Sequence, residues 1–289
     1  MKHILLIPHI IIQNANALSS PFTVGFPAMT AWLGATHALQ RKIVEESIFA
    51  GLLFTGAGIV CHNFDLKTYR DEGMYLNSLV GMATPLTKKG ERAPFIEEAR
   101  CSLEVSLVLD LQGVEPNLID ELVSKVYTVL LSGMHIAGGD ILDLQLPSIL
   151  SIDDSESMKK LRRHLMPGYV LIEKRSLVKQ AMQEGLDGMD AVLEYLKVFY
   201  TCSETEPYTW EAHRKSLGWI IPIATGFQAI SEHINSPFQR DMKTPHRFAE
   251  SIVTLGEFVM PHRINRIDEM FWSYQYNEEQ DLYLCINEQ

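Results

Sequence analysis

Residues 101–111, CSLEVSLVLDL, carry Leu103, Val105, Leu107, Leu109 and Leu111 in unbroken alternation with smaller or polar neighbours. A period of two sends all five apolar side chains to one side of an extended chain, so the segment is a strand with a buried face. The elements around it can be read outward from that point. Upstream, residues 47–62 return to strand character, with Gly51, Gly56 and Gly58 marking bulges or close packing. Between the two strands, residues 82–98 (MATPLTKKGERAPFIEE) read as a loop or a protruding hairpin tip. Downstream, Pro116 opens a helix whose apolar set, Leu118, Ile119, Leu122, Val126, Val129 and Leu130, repeats at helical spacing and stops near Gly133. After Gly138-Gly139, residues 141–150 form another apolar run.

At the amino end, residues 3–12 are a β-branched apolar run that reads as a central strand. The polar stretch 13–21, QNANALSSP, is expected to end it. Pro27 suits a first helical turn, and Met29, Trp32, Leu33, Thr36, Leu39, Gln40 and Ile43 give the helix its buried stripe. The order is β-α-β-β-α-β, which predicts an α+β, ferredoxin-like domain over residues 1–150. Residues 151–289 read as a mixed elaboration packed on it. There, 155–164 is expected to be helical, 169–173 a strand, 177–199 mostly helix, 248–259 helical and 271–276 a strand. A βαββαβ sheet of this kind underlies many RNA-binding modules, although the fold alone does not decide function.

The 289 residues are 46% hydrophobic, ample for a packed core. No amino-terminal segment resembles a signal peptide, and the uncharged stretch 47–64 is broken by three glycines, a His and an Asn. No membrane association is expected, and the cytoplasm is the simple location. Cys61, Cys101, Cys202 and Cys285 lie far apart without a CxxC pair, so neither a metal site nor a disulfide framework is indicated. No P-loop, GxSxG or HExxH motif occurs, and no cofactor is implied. The formal charge of −11 argues against a nucleic-acid binder until its distribution is considered. Residues 1–44 contain no Asp or Glu, residues 236–266 hold five Lys or Arg against three acids, and the tail from Ile267 has six acids and no Lys or Arg. Such a field can present one electropositive groove on an acidic body.

Several segments carry a resemblance: QNANALSSP (13–21), GFPA (25–28), HALQR (37–41), MPGY (166–169), TPHRFAES (244–251) and PHR (261–263). The chain resembles the second Csy subunit, of the Cas-five type, from type I-F CRISPR surveillance complexes. The resemblance spans nearly the whole chain, and its first motif is the most specific. It implies a non-catalytic subunit with a ferredoxin-like fold and a protruding β-hairpin thumb. Such a subunit grips the 5′ handle of the crRNA, pairs with the large subunit, touches the backbone subunit, and supports recognition of target DNA near the duplex end.

Candidate RNA contacts follow. Gln13, Asn14, Asn16, Ser19 and Ser20 cluster where the first strand is expected to end. Their amides and hydroxyls suit base edges and 2′-hydroxyls, though the same residues also build turns. Lys88, Lys89 and Arg92 sit at the thumb and suit phosphate. Arg240, Lys243, His246, Arg247, His262, Arg263 and Arg266 form the densest basic segment, with Phe238 and Phe248 beside it. Lys159, Lys160, Arg162, Arg163 and His164 are a second basic cluster that a solvated helix face also explains. His37, with Arg41 one turn on, is the residue that would make the chain a metal-independent endoribonuclease, His37 acting as general base. One His on an apolar helix is more often a packing residue, so the two are placed among RNA contacts.

Overall fold

The structure is a computed structural model and describes residues 2–80, 82–83, 86–91, 95–96, 98–203, 206, 208–235, 239, 241 and 243–287. Among them, five α-helices pack on one large antiparallel sheet. Its first half is built from β1 (Lys2–Asn16), α1 (Met29–Val44), β2 (Leu53–Leu66), β3 (Arg100–Gln112), α2 (Ile119–Gly133) and β4 (Gly139–Asp143). The strands lie in the order β4-β1-β3-β2. The alternation that announces β3 sends Leu103, Val105, Leu107, Leu109 and Leu111 to one face. There they meet Trp32, Leu39 and Ile43 of α1 and Leu122, Val126 and Leu130 of α2. Burying each such side chain contributes about 1.5–3 kcal/mol.

The opposite face is only partly covered. β5 (Ser148–Ile152) pairs with the first residues of β1, and α3 (Ser155–Leu165) lies across Ile4, Leu6, Val60 and Val108. Asp154 caps α3, its carboxylate accepting from the Ser157 amide at 2.8 Å. Met158, Leu161 and Leu165 form the stripe that faces the sheet. Ser106 and Val108 of β3 are therefore buried as well, a second buried face that the alternation alone does not show.

The second half supplies β6 (Tyr169–Glu173), α4 (Arg175–Gln183), α5 (Gly188–Leu196), β7 (Trp219–Ala229), β8 (Ala249–Val259), β9 (Trp272–Asn277) and β10 (Leu282–Asn287). Their order continues the sheet as β2-β6-β8-β7-β10-β9. β9 then returns to β2 through Trp272 opposite Ala57, so six strands curl into a ring. Trp272 is fully buried, and its indole Nε1 donates to the Leu171 carbonyl at 2.9 Å. Leu171, Ile223 and Cys285 join the same core as α1.

Three sequence expectations need correction. Residues 249–259 form a strand, not a helix. Ile252, Val253, Thr254 and Val259 are β-branched, and a Cβ on Gly256 would come within 2.9 Å of Ile223 Cδ1, so strand pairing on both sides overrides the apparent helical period. The polar residues after Ile12 do not end β1. A bulge between Ile12 and Ala15 carries it to Asn16. Residues 47–49 are a short 3-10 turn, and β2 begins only at Leu53. No helix among the described residues is long and apolar enough to cross a membrane.

Candidate nucleic-acid interface

The polar residues that carry β1 past its apolar run gather at one end of the sheet. Asn14 takes a left-handed backbone conformation, φ 59°, where β1 bulges, and Gln13 is exposed opposite Asp140. β3 begins at this same end, with Arg100 opposite Asn16. Arg100 donates from Nη1 to the Asn14 carbonyl at 3.3 Å and pairs through Nη2 with Glu98. Lys67, just past the end of β2, donates to the Asn14 side-chain oxygen. The topology thus sets two cations beside the amides, from positions 53 and 86 residues away in sequence.

The remaining candidates of the cluster build their own turn. Asn16 accepts from the Leu18 amide at 3.0 Å and donates to the Leu18 carbonyl at 3.1 Å. Ser19 and Ser20 bond the Thr23 hydroxyl at 2.8 and 2.7 Å, and Ser20 is buried. These bonds hold a small hairpin, Leu18–Ser20 against Thr23–Val24. Between it and α1 lies a cleft of about 590 Å³, lined by Asn16, Ser19, Ala31, Ala35, Arg100 and His135. Small residues on α1 leave it open. Behind it, a Cβ on Gly139 would fall 2.7 Å from the Ala15 amide nitrogen, so that glycine serves close approach of β4 to β1.

The segment between β2 and β3 leaves from this end too. It forms two short ladders, Thr68–Tyr69 with Ser78–Leu79 and Met82–Ala83 with Phe95–Ile96. Lys88 and Lys89 lie exposed in the turn closed by Gly90, whose amide bonds the Thr87 carbonyl at 2.8 Å. Arg92 lies outside the described residues.

The densest basic segment does not form one surface. Arg247 sits beyond the Ala229–Ala249 pair at the far end of β7 and β8. It pairs there with Asp281 at 2.6 Å and with His233 at 3.0 Å. His246 bonds the Thr244 carbonyl at 2.8 Å, and the Lys243 amide bonds Asp241 at 2.9 Å, leaving the Lys243 side chain exposed. Arg263 and His262 are exposed in the 3-10 turn after Val259, at the other end of β8. Eleven strand residues, about 36 Å of extended chain, separate those ends. Arg240 and Phe238 lie outside the described residues. On α3, Arg162 is held by the Ile264 carbonyl at 2.5 Å and Lys159 by Glu156 at 3.3 Å.

His37 and Arg41 are exposed on α1. His37 lines a cavity of about 300 Å³ together with Gln40, Thr55, Tyr274 and Tyr283. Burial pushes the Tyr274 phenol well above its usual range, so it stays a proton donor.

Two bulges that sequence reasoning did not find place a second polar group on the opposite face. The residues between Ile7 and Ile10 of β1 and His62 of β2 are extra to their ladders, both flanking the same stretch of β3. His9 and His62 stack there with ring centroids 4.3 Å apart. Glu104 bonds His9 Nδ1 at 2.6 Å, and the His9 amide donates to Ser106 Oγ at 3.0 Å. The Pro167 carbonyl accepts from His62 Nδ1 at 2.5 Å, so His62 Nε2, 2.7 Å from Ser106 Oγ, accepts the hydroxyl proton. Burial lowers the His62 pKa, and the nearby His9 lowers it further. Among the described residues no group of three or more His, Cys, Asp or Glu is arranged to hold a metal ion.

Two comparisons bear on what this arrangement serves. Residues 5–285 match the protein family described as CRISPR-associated protein (Cas_Csy2). The chain is also similar to the CRISPR-associated protein Csy2 of Pseudomonas aeruginosa (strain UCBPP-PA14), 31% identical, with 97% of this chain and 94% of that protein covered.

Proposed function

Because this chain belongs to the Csy2 family of CRISPR-associated proteins, we propose that it is a non-catalytic subunit of a type I-F CRISPR surveillance complex. In this reading it is a cytoplasmic ribonucleoprotein component that holds the 5′ handle of the crRNA. It pairs with the large subunit and contacts the backbone subunit. It thereby supports recognition of target DNA near the duplex end.

The observation that carries the reading is convergence at one end of the sheet. Gln13 and Asn14, the cations Lys67 and Arg100, the 590 Å³ cleft and the root of the Lys88–Lys89 hairpin all lie there. Amides suited to bases stand beside cations suited to phosphate, with a protruding element to clamp what lies between. The strand order β4-β1-β3-β2, with two helices on one face, supports a ferredoxin-like platform over residues 1–150, with 151–289 as its elaboration. The test is co-purification of this chain with the large subunit, followed by sequencing of bound RNA. Short RNAs sharing one 5′ end are expected, and a nucleic-acid-free complex would overturn the reading.

A second reading has one observation behind it. His37 shares its cavity with Tyr274 and Tyr283, groups able to donate to a developing charge. As a metal-independent endoribonuclease, the purified chain would cleave precursor RNA in EDTA and lose that activity on His37→Ala. The preferred reading expects intact RNA in both samples.

A further inference from the structure

Two basic runs that lie far apart in sequence share one surface. Residues 159–164 of α3 and residues 262–266 after β8 together carry six Lys or Arg and no Asp or Glu, on a chain whose formal charge is −11. Arg162 joins them, its Nη2 donating to the Ile264 carbonyl, 102 residues on, at 2.5 Å. Beneath that bond, Leu161 and Leu165 of α3 enter the same apolar cluster as Ile264 and Ile267, on the face of the sheet away from α1 and α2. The turn 262–266 therefore belongs with α3 and not with Arg247 at the far end of β8. Between α3 and the turn runs a groove of about 470 Å³, with Lys159, Arg162, Asn265 and Arg266 on its walls beside Asp153 and Asp154.

The acids bordering this surface are already engaged. Asp154 accepts from the Ser157 amide and Asp153 from the Ser157 hydroxyl, at 2.8 and 3.4 Å. Glu156 pairs with Lys159 at 3.3 Å, and Asp268 pairs with Lys2. Glu269 accepts from the Asn265 and Arg266 amides at 3.0 and 3.3 Å. Lys160, Arg163 and Arg263 are exposed and, among the described residues, pair with no acid. Lys160 and Arg163 are neighbours three positions apart on the outer side of α3, since Met158, Leu161 and Leu165 face the sheet.

What the surface lacks narrows its partner. Neither run contains Phe, Tyr or Trp, so an unpaired base finds no such ring to stack on. Their apolar members, Leu161 and Ile264, are buried, so the exposed apolar centre of a protein–protein interface is missing. Cations fixed on a packed helix and turn suit a stiff polyanion gripped by charge, the phosphate backbone of a duplex. The surface is also separate from the candidate guide contacts. Lys2, bonded to Asp268 beside it, begins β1, whereas Asn14 and Arg100 lie where β1 ends.

We propose that α3 and the turn 262–266 form a second nucleic-acid surface, which holds the phosphate backbone of duplex DNA without reading its sequence. Lys160, Arg163 and Arg263 make the phosphate contacts. The proposal rests on the type I-F reading and adds to it a place for the duplex, apart from the cluster at Asn14.

The experiment uses the assembled complex and a short DNA duplex unrelated to its guide. Affinity is measured across a range of salt for three complexes. One is native, one carries Lys160→Ala, Arg163→Ala and Arg263→Ala together, and one carries the charge-preserving Lys160→Arg, Arg163→Lys and Arg263→Lys. Loss of three phosphate contacts should reduce the slope of log K against log salt by about 2.7 in the alanine complex, while the charge-preserving complex keeps the native slope. Guide RNA should stay bound in all three. An unaltered duplex slope in the alanine complex, with its RNA in place, would overturn the proposal and leave the guide-RNA reading standing. Release of RNA with the duplex slope unchanged would assign the surface to the guide, and loss of a protein subunit would assign it to an acidic partner; either overturns the proposal. A native complex that contains no RNA would overturn both.

Discussion

At the scale of single residues, His62 gives the clearest pH dependence. Its neutral ring accepts from Ser106 and donates to Pro167, and burial holds its pKa below the usual 6.5. The unfolded chain therefore binds the proton more readily than the folded one. The stabilisation is full above about pH 6.5 and is lost as pH falls through the lower folded value. Thermal melts from pH 7.5 down to 5 should show a drop in Tm that shrinks in His62→Gln. A variant with the same acid slope as the native chain would refute this assignment. Thr254 makes a second case. Its hydroxyl is buried between β8 and its neighbours and, among the described residues, has no hydrogen-bond partner. Thr254→Val keeps the shape and removes the desolvation cost. It is expected to stabilise the fold by about 1 kcal/mol, read as a shift in urea midpoint at constant slope.

At the scale of elements, what the sequence disclosed depended on whether the signal was local. β3 was legible because five leucine or valine side chains alternate without interruption, and α1 and α2 because their stripes repeat every three to four residues. β8 was not, because AESIVTLGEFV fits a helical period as well as a strand, and only the pairings of β6 and β7 decide between them. The cluster at residues 13–20 was partly legible. Its residue types pointed to a polar site, yet Asn16, Ser19 and Ser20 spend their side chains on the turn. The cations that complete the site, Lys67 and Arg100, come from distant strands. Position in the fold, not local composition, brings them together. The hairpin between β2 and β3 gives the prediction that belongs at this scale. Lys88 and Lys89 are exposed on a turn that orders no core, so their contacts should be purely ionic. Changing both to Ala should lower RNA affinity equally for all sequences and reduce the slope of log K against log salt by about 1.4, the value for two single-strand phosphates. A change in sequence preference with an unaltered salt slope would contradict that role.

At the scale of the whole molecule, the fold separates a closed ring from a protrusion, and the two should fail differently. The ring is pinned at its last strand by Asn287. Its side chain donates to the Glu269 and Phe271 carbonyls at 3.0 and 2.8 Å and accepts from the Glu173 amide at 3.2 Å, while its own amide bonds the Glu173 carboxylate at 3.1 Å. Asn287→Ala strips three side-chain bonds, to the Glu269 and Phe271 carbonyls and from the Glu173 amide, at a cost of about 2–4 kcal/mol. The protrusion contributes nothing comparable: Tyr75 and Leu76 are 97% and 80% exposed, and the described hairpin residues form only two-residue ladders. Replacing residues 69–97 by a short Asn-Gly turn shortens a loop whose closure entropy grows only logarithmically with length. The shortened chain should therefore melt cooperatively near the native Tm, whereas Asn287→Ala melts well below it. In the assembled complex the order should reverse. On the proposed role of the hairpin as a clamp beside Asn14 and Arg100, the shortened chain should release RNA at salt concentrations that the Asn287→Ala complex, kept cool enough to stay folded, withstands. Should the shortened chain unfold while the Asn287 variant stays as stable as the native one, the division between ring and protrusion would be wrong.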